Sequence, residues 1–125
     1  MKERDLLKRT KDFALRSMRF VESLPPGGSS RVLGHQLLRS ATSVGANYRA
    51  ARRAKSKADF IAKLAIVEEE ADECCYWLEL IQEAGFLPSE TPALLSEADE
   101  ITAIMVAAIK KARLALRPSG PSVRR

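Results

Sequence analysis

Four groups of residues have side chains that could do chemistry. They are the acidic run Glu68-Glu-Glu-Ala-Asp-Glu73, the adjacent thiols Cys74 and Cys75, the lone histidine His35, and the arginines spaced around it. Glu69 and Glu73 stand four apart, so on a helix they share a face, which is a start on a carboxylate metal site. A di-iron helical bundle also needs two Glu-x-x-His pairs. With one histidine in the chain and no carboxylate beside it between Gln36 and Arg39, that site fails. A nucleophilic triad fails for the same reason. Gly27-Gly28 has no Lys-Ser/Thr after it, so it makes no phosphate-cradling loop. The sequence therefore predicts no metal, no cofactor and no enzyme, and reads the acidic run as a solvated or interface-pairing face. Adjacent helical cysteines diverge and do not pair readily with each other, so Cys74 and Cys75 read as small buried apolar residues.

The arginines are more informative. Arg31, His35, Arg39, Thr42, Ala46, Arg49 and Arg53 fall in one row at helical spacing, about 33 Å from first to last. A second row, Arg4, Lys8, Lys11, Leu15 and Arg19, runs along the preceding segment. Guanidinium groups along a rigid rod can meet successive phosphates, with an affinity that falls as salt rises. No aromatic residue interrupts the α-helical arginine row, so single-strand stacking is not expected. A solvated face, or one docked on an acidic neighbour, is the competing reading. Candidate nucleic-acid contacts are Arg31, Arg39, Arg49, Arg53, Lys8, Lys11 and Arg19.

These rows need long helices to carry them, and the breakers mark where such helices end. Pro25-Pro26-Gly27-Gly28-Ser29-Ser30 is a loop. Ser56 with Asp59 resembles a capping box, Gly85 before Phe86 a glycine helix stop, and Thr91-Pro92 an N-cap with proline at the first helical position. Apolar residues recur every three or four positions between the breaks: Leu6, Phe13, Phe20 and Leu24, with Thr10 and Ser17 on the same face; then Leu33, Leu37, Ala41, Val44, Tyr48 and Ala51; then Phe60, Leu64, Val67, Ala71, Cys74, Leu78 and Ile81; then Leu94, Ala98, Ile101, Met105, Ala108 and Ala112. The predicted helices span about 3–24, 31–54, 57–84 and 92–116. Short loops make them antiparallel, giving an all-α, up-down four-helix bundle over residues 1–117 with a flexible basic tail at 118–125. The chain's 125 residues suit one domain.

Charge is segregated along this chain. Residues 1–57 hold 14 Lys and Arg against 4 acids, residues 58–100 hold 1 against 12, and residues 101–125 hold 6 against none. Such blocks point to an anionic partner or to pairing between complementary faces. The helix end around Tyr76, Trp77 and Leu80 is apolar nearly all round, and Leu15 and Met18 face outward on the first helix. These five residues are the candidate oligomer interface. Gly45 lies in a run of small residues, Ser40-Ala-Thr-Ser-Val-Gly-Ala-Asn47, where two helices could approach closely. Asn47 could bond a neighbouring helix or face water. No apolar run nears the roughly 18 residues of a membrane span, and two thiols without a signal-like start fit the cytoplasm.

Leu38-Arg-Ser-Ala-Thr-Ser-Val-Gly-Ala-Asn-Tyr-Arg-Ala-Ala51, Ser56-Lys-Ala-Asp-Phe-Ile-Ala-Lys-Leu64, Glu70-Ala-Asp-Glu73 and Tyr76-Trp-Leu-Glu-Leu80 resemble the bacterial four-helix bundle proteins often labelled 23S ribosomal RNA intervening-sequence proteins. The resemblance runs from about Asp12 to Arg113, although Glu69 stands where many relatives have lysine. It implies an up-down bundle assembling into a homopentameric ring, and kinship with the diversity-generating retroelement accessory protein, a basic pentamer that binds nucleic acid and a reverse transcriptase. A cyclic ring needs two unlike patches per subunit, which basic first and second helices and an acidic third can supply. The expected function is a cytoplasmic homo-oligomer that binds nucleic acid, either structured RNA or an RNA–protein complex. The alternative is a protein–protein scaffold whose charges are used up in assembly.

Overall fold

The computed structural model describes residues 3–116, with side chains from Asp5 onward. The predicted tail at 118–125 and the side chain of Arg4 lie outside the described residues. Four helices follow one another: α1 (Glu3–Glu22), α2 (Gly28–Ala51), α3 (Lys57–Glu83) and α4 (Thr91–Leu116). Each packs on its neighbours in sequence, and α1 closes the square against α4 by a much lighter contact; α1 and α3 are diagonal, as are α2 and α4. This is the all-α four-helix bundle the periodicity predicts.

The connections are built from the breakers, with differences in detail: α2 starts at Gly28, taking Gly28, Ser29 and Ser30 from the predicted loop because none of them blocks a helical first turn, and it ends at Ala51, not 54, so Arg52 and Arg53 lie just past its end. Ser56 caps α3 by accepting the Asp59 N–H (3.1 Å), but Asp59 reaches back to the N–H of Lys55 (3.1 Å), one residue before the cap. Thr91 does not cap α4 forward. Its hydroxyl turns back and donates to the Leu87 carbonyl (2.7 Å), so it ties the α3–α4 connection to the helix it opens. At the end of α3, Gly85 sits at φ 81°, while the Phe86 N–H reaches the Ile81 carbonyl and the Gly85 N–H reaches that of Gln82. That pair of bonds is the glycine stop in which a left-handed residue satisfies carbonyls the helix leaves open.

Along the axis lies one core, from Leu6, Phe13 and Phe20 of α1 through Leu37, Val44 and Tyr48, then Leu64, Leu78 and Ile81, to Ile101 and Met105. Leu24, Leu33 and Phe60, expected in the core, are half-buried at the bundle ends, where fewer neighbours surround them. In α4 the predicted face runs through Ala108, but Ile109 is buried and Ala108 only half-buried. A 3.6-residue period lets either position face inward that far along, and the larger side chain takes the buried place. Cys74 and Cys75 are buried free thiols. Burial, aided by a hydrogen bond to Asp99 (3.1 Å), pushes the Cys75 thiol up to about 12, and burial raises Cys74 as well, so both are protonated at neutral pH.

Gly45 performs the role its small-residue run suggests. A Cβ there would stand 3.4 Å from the Thr10 carbonyl oxygen of α1, so α1 and α2 touch almost backbone to backbone. Gly34, nearer the α1–α2 loop, makes room for side chains instead: a Cβ there would come within 2.9 Å of the Leu24 and 3.1 Å of the Val21 side chain. The Asn47 amide donates within α2, to the Ser43 carbonyl (2.9 Å) and hydroxyl (2.8 Å), and not to a neighbouring helix.

Candidate functional site

The close approach at Gly45 leaves a shallow groove of about 640 Å³ on the outer side of α1 and α2. Leu7, Ala14, Gly45 and Ala46 give it an apolar floor, because small residues keep the floor low. Lys11 from α1, Arg49 from the last turn of α2, and Arg52 and Arg53 from the turn just past it form its rim. Arg49 and Arg53 also border a second depression with Lys55, Asp59 and Lys63, where Lys63 is paired to Asp59 at 2.6 Å. Asp59 is held below the usual carboxylate range, chiefly by the Lys63 hydrogen bond and then by the Lys55 N–H.

All seven members of the α2 row, from Arg31 to Arg53, are exposed, as are Lys8, Lys11 and Arg19 of α1. They do not act alike. Lys8 is paired with Asp12 four residues on (2.8 Å), an exposed contact of little energetic weight. Arg39 departs from expectation. Its guanidinium crosses to α3, pairs with Glu73 and lies 3.6 Å from Glu70, so it braces two helices of the same chain. Ser40 donates to Glu73 (2.6 Å) and the Trp77 indole N–H points to the same oxygen at 3.4 Å. Neither Arg31, Arg49, Arg53, Lys11 nor Arg19 has an acidic partner within 4.0 Å among the described residues. The Arg39 brace could not be read from the row alone, because it depends on which residues of α3 come level with it.

The Glu73 carboxyl is held below its ordinary 4.5, first by the Ser40 hydroxyl, then by Trp77 and Arg39 against the opposing effect of burial. A carboxyl whose folded value is depressed contributes stability above its unfolded value and loses it as pH falls through the folded one. Stability should therefore decline below pH 4.5. Glu73→Gln should be less stable than the parent above that pH and show a shallower acid decline, as measured by urea melts on either side of it.

The five candidate interface residues divide between opposite faces. Tyr76 is exposed and packs edge-on against half-buried Trp77 (5.1 Å between ring centres), with half-buried Leu80 one turn on, all on α3. Leu15 and Met18 are exposed on α1, the diagonal helix. No helix among the described residues is long and apolar enough to cross a membrane. Nor does any cluster of three or more His, Cys, Asp or Glu side chains suited to a metal ion occur among them.

A family model described as 23S rRNA-intervening sequence protein matches residues 2–107. A crystal structure of a protein with unknown function, from the S23 ribosomal protein family of Bacteroides thetaiotaomicron VPI-5482, superposes with a TM-score of 0.80 at 35% identity, covering 88% of this chain and 99% of that one. No curated protein matches the chain. With the family model spanning most of its length, the chain belongs to the 23S rRNA-intervening sequence protein family.

Proposed function

We propose that this chain is a non-enzymatic, cytoplasmic homo-oligomer, pentameric by family resemblance, that binds nucleic acid through the basic outer faces of α1 and α2. The observation that carries this reading is the set of exposed, unpaired cations flanking the α1–α2 groove. Lys11 and Arg49 stand on the two-helix surface and Arg53 on the turn that follows α2, free to meet phosphates. The family's description connects it with ribosomal RNA, and structured RNA, alone or within an RNA–protein complex, is the substrate class that fits. A ring is supported by the two apolar patches on diagonal helices, since a heterologous interface joins unlike patches of successive subunits. The internal Arg39 brace favours the second reading, a protein scaffold, because it removes one arginine from the phosphate-binding row.

Light scattering coupled to gel filtration separates these readings. The nucleic-acid reading expects an oligomer that takes up a structured RNA at low salt and releases it at high salt. About six phosphate contacts imply a loss of roughly 10³ in affinity between 50 and 200 mM salt. An oligomer indifferent to RNA at both salts leaves the scaffold. Leu15→Glu with Tyr76→Glu should reduce the mass to that of the single 13.8 kDa chain; an unchanged mass removes both patches from the interface.

A further inference from the structure

The antiparallel turns bring distant parts of the sequence to common ends of the bundle. Gly45 lies beside Thr10, Arg39 reaches Glu70 and Glu73, and Cys75 meets Asp99, which fixes how the helices stand level with one another. The start of α1, the α2–α3 connection and the end of α4 therefore share one end. Over residues 5–12, 43–69 and 97–116, which keep Arg9 with the Glu97 and Glu100 it binds, that end has a net charge of +4, whereas the other end, residues 13–42 and 70–96, has −3. At the positive end Arg49, Arg53, Lys55 and Lys57 crowd the α2–α3 corner, all exposed. The last turns of α4 add exposed Lys110, Lys111 and Arg113. None of these seven side chains makes an ion pair among the described residues.

We propose that nucleic acid engages this end of the bundle, across the α2–α3 corner and the last turns of α4, and not the length of the α2 row. The proposal rests on the nucleic-acid reading above and gives it a location. Three observations favour a polyanion over the negative end of a second copy. The cations here are unpaired, as phosphates require. At the opposite end Arg39 already engages Glu73 and lies close to Glu70. The positive end also spans α2, α3 and α4, a breadth suited to a folded backbone with phosphates on more than one strand. Lys110, Lys111 and Arg113 are thereby assigned a role that their place in the sequence, some 60 residues from the arginine row, does not suggest.

The test is binding of the full chain to a fluorescein-labelled hairpin RNA at about 0.15 M salt, where charges act over about 8 Å. Lys110→Glu with Arg113→Glu alters only cations outside the α2 row. It should weaken binding at least tenfold and lower the salt slope by about two, one for each lost phosphate contact. Arg19→Glu with Arg31→Glu changes the net charge equally at the opposite end and should cost less than threefold. Circular dichroism and light scattering accompany both variants. Equal losses in the two variants, or no loss in the α4 variant while Arg49→Glu with Arg53→Glu abolishes binding, overturn the end-on site and leave the nucleic-acid reading intact. A change of oligomer mass in the α4 variant makes this end a subunit contact and also overturns the site. Failure of the parent chain to bind the hairpin overturns the nucleic-acid reading itself.

Discussion

Phe13→Ala is expected to destabilise the bundle by about 4 kcal/mol, the usual cost of removing a fully buried aromatic ring. Phe13 is 1% exposed and is the central apolar anchor of α1. The helix has few others. Between Leu6, Phe13 and Phe20, its inward face carries Thr10 and Ser17. The Thr10 hydroxyl is satisfied by the Leu6 carbonyl (2.8 Å), while the Ser17 hydroxyl is buried with no partner among the described residues. Alpha helix α1 also touches α4 only lightly. The loss should therefore fall unevenly. Urea melts give the total, and native-state hydrogen exchange should show α1 amides opening well below the global free energy while α3 amides report the global value. If α1 and α3 amides weaken together, α1 is not a separate unit.

Arg9→Ala should cost about 2–3 kcal/mol, less than breaking a fully buried ion pair and more than breaking an exposed one, because water still reaches the site. The guanidinium spans the light α1–α4 seam. It gives two parallel hydrogen bonds to Glu97 (2.7 and 2.9 Å) and a third to Glu100 (2.5 Å), and the Arg9 and Glu97 side chains are only 22% and 17% exposed. Most of the expected loss arises because Glu97 is left partly buried without its partner. Arg9→Met combined with Glu97→Leu should then recover much of it, since apolar side chains of similar size need no hydration in that seam. Thermal melts of the parent, the single variant and the double variant measure the difference. A double variant no more stable than Arg9→Ala places the energy in the charge pair itself.

Much of this bundle was legible in the sequence. Leu37, Val44, Leu78 and Ile101 follow a helical period too regular to be read otherwise, and Pro25-Pro26 and Gly85 punctuate it where the backbone has to turn. Gly45 was legible as a place of close approach because a helix accepts a central glycine at a cost of about 1 kcal/mol only where something offsets it. What remained hidden depended on which residues become level after the chain reverses. The outward face of Arg39 follows from α2 alone, but its pairing with Glu70 and Glu73 depends on the register of α3. Arg9 reads as one cation among many until α4 brings Glu97 and Glu100 beside it. Lys110 and Arg113 likewise join Arg49 and Arg53 at one end only through three antiparallel turns, a placement that no spacing within the sequence encodes.

The packing of each helix on its neighbours in sequence has a kinetic meaning. Nearly every contact can form by closing a short loop, so little chain entropy is lost before the contact is made. Low contact order of this kind belongs to chains that fold in microseconds to milliseconds. The α1–α4 seam is the exception, joining residues some 90 positions apart through Arg9. It is the one closure that has to wait for the rest, so the bundle should assemble as an open row of helices and shut last along that seam.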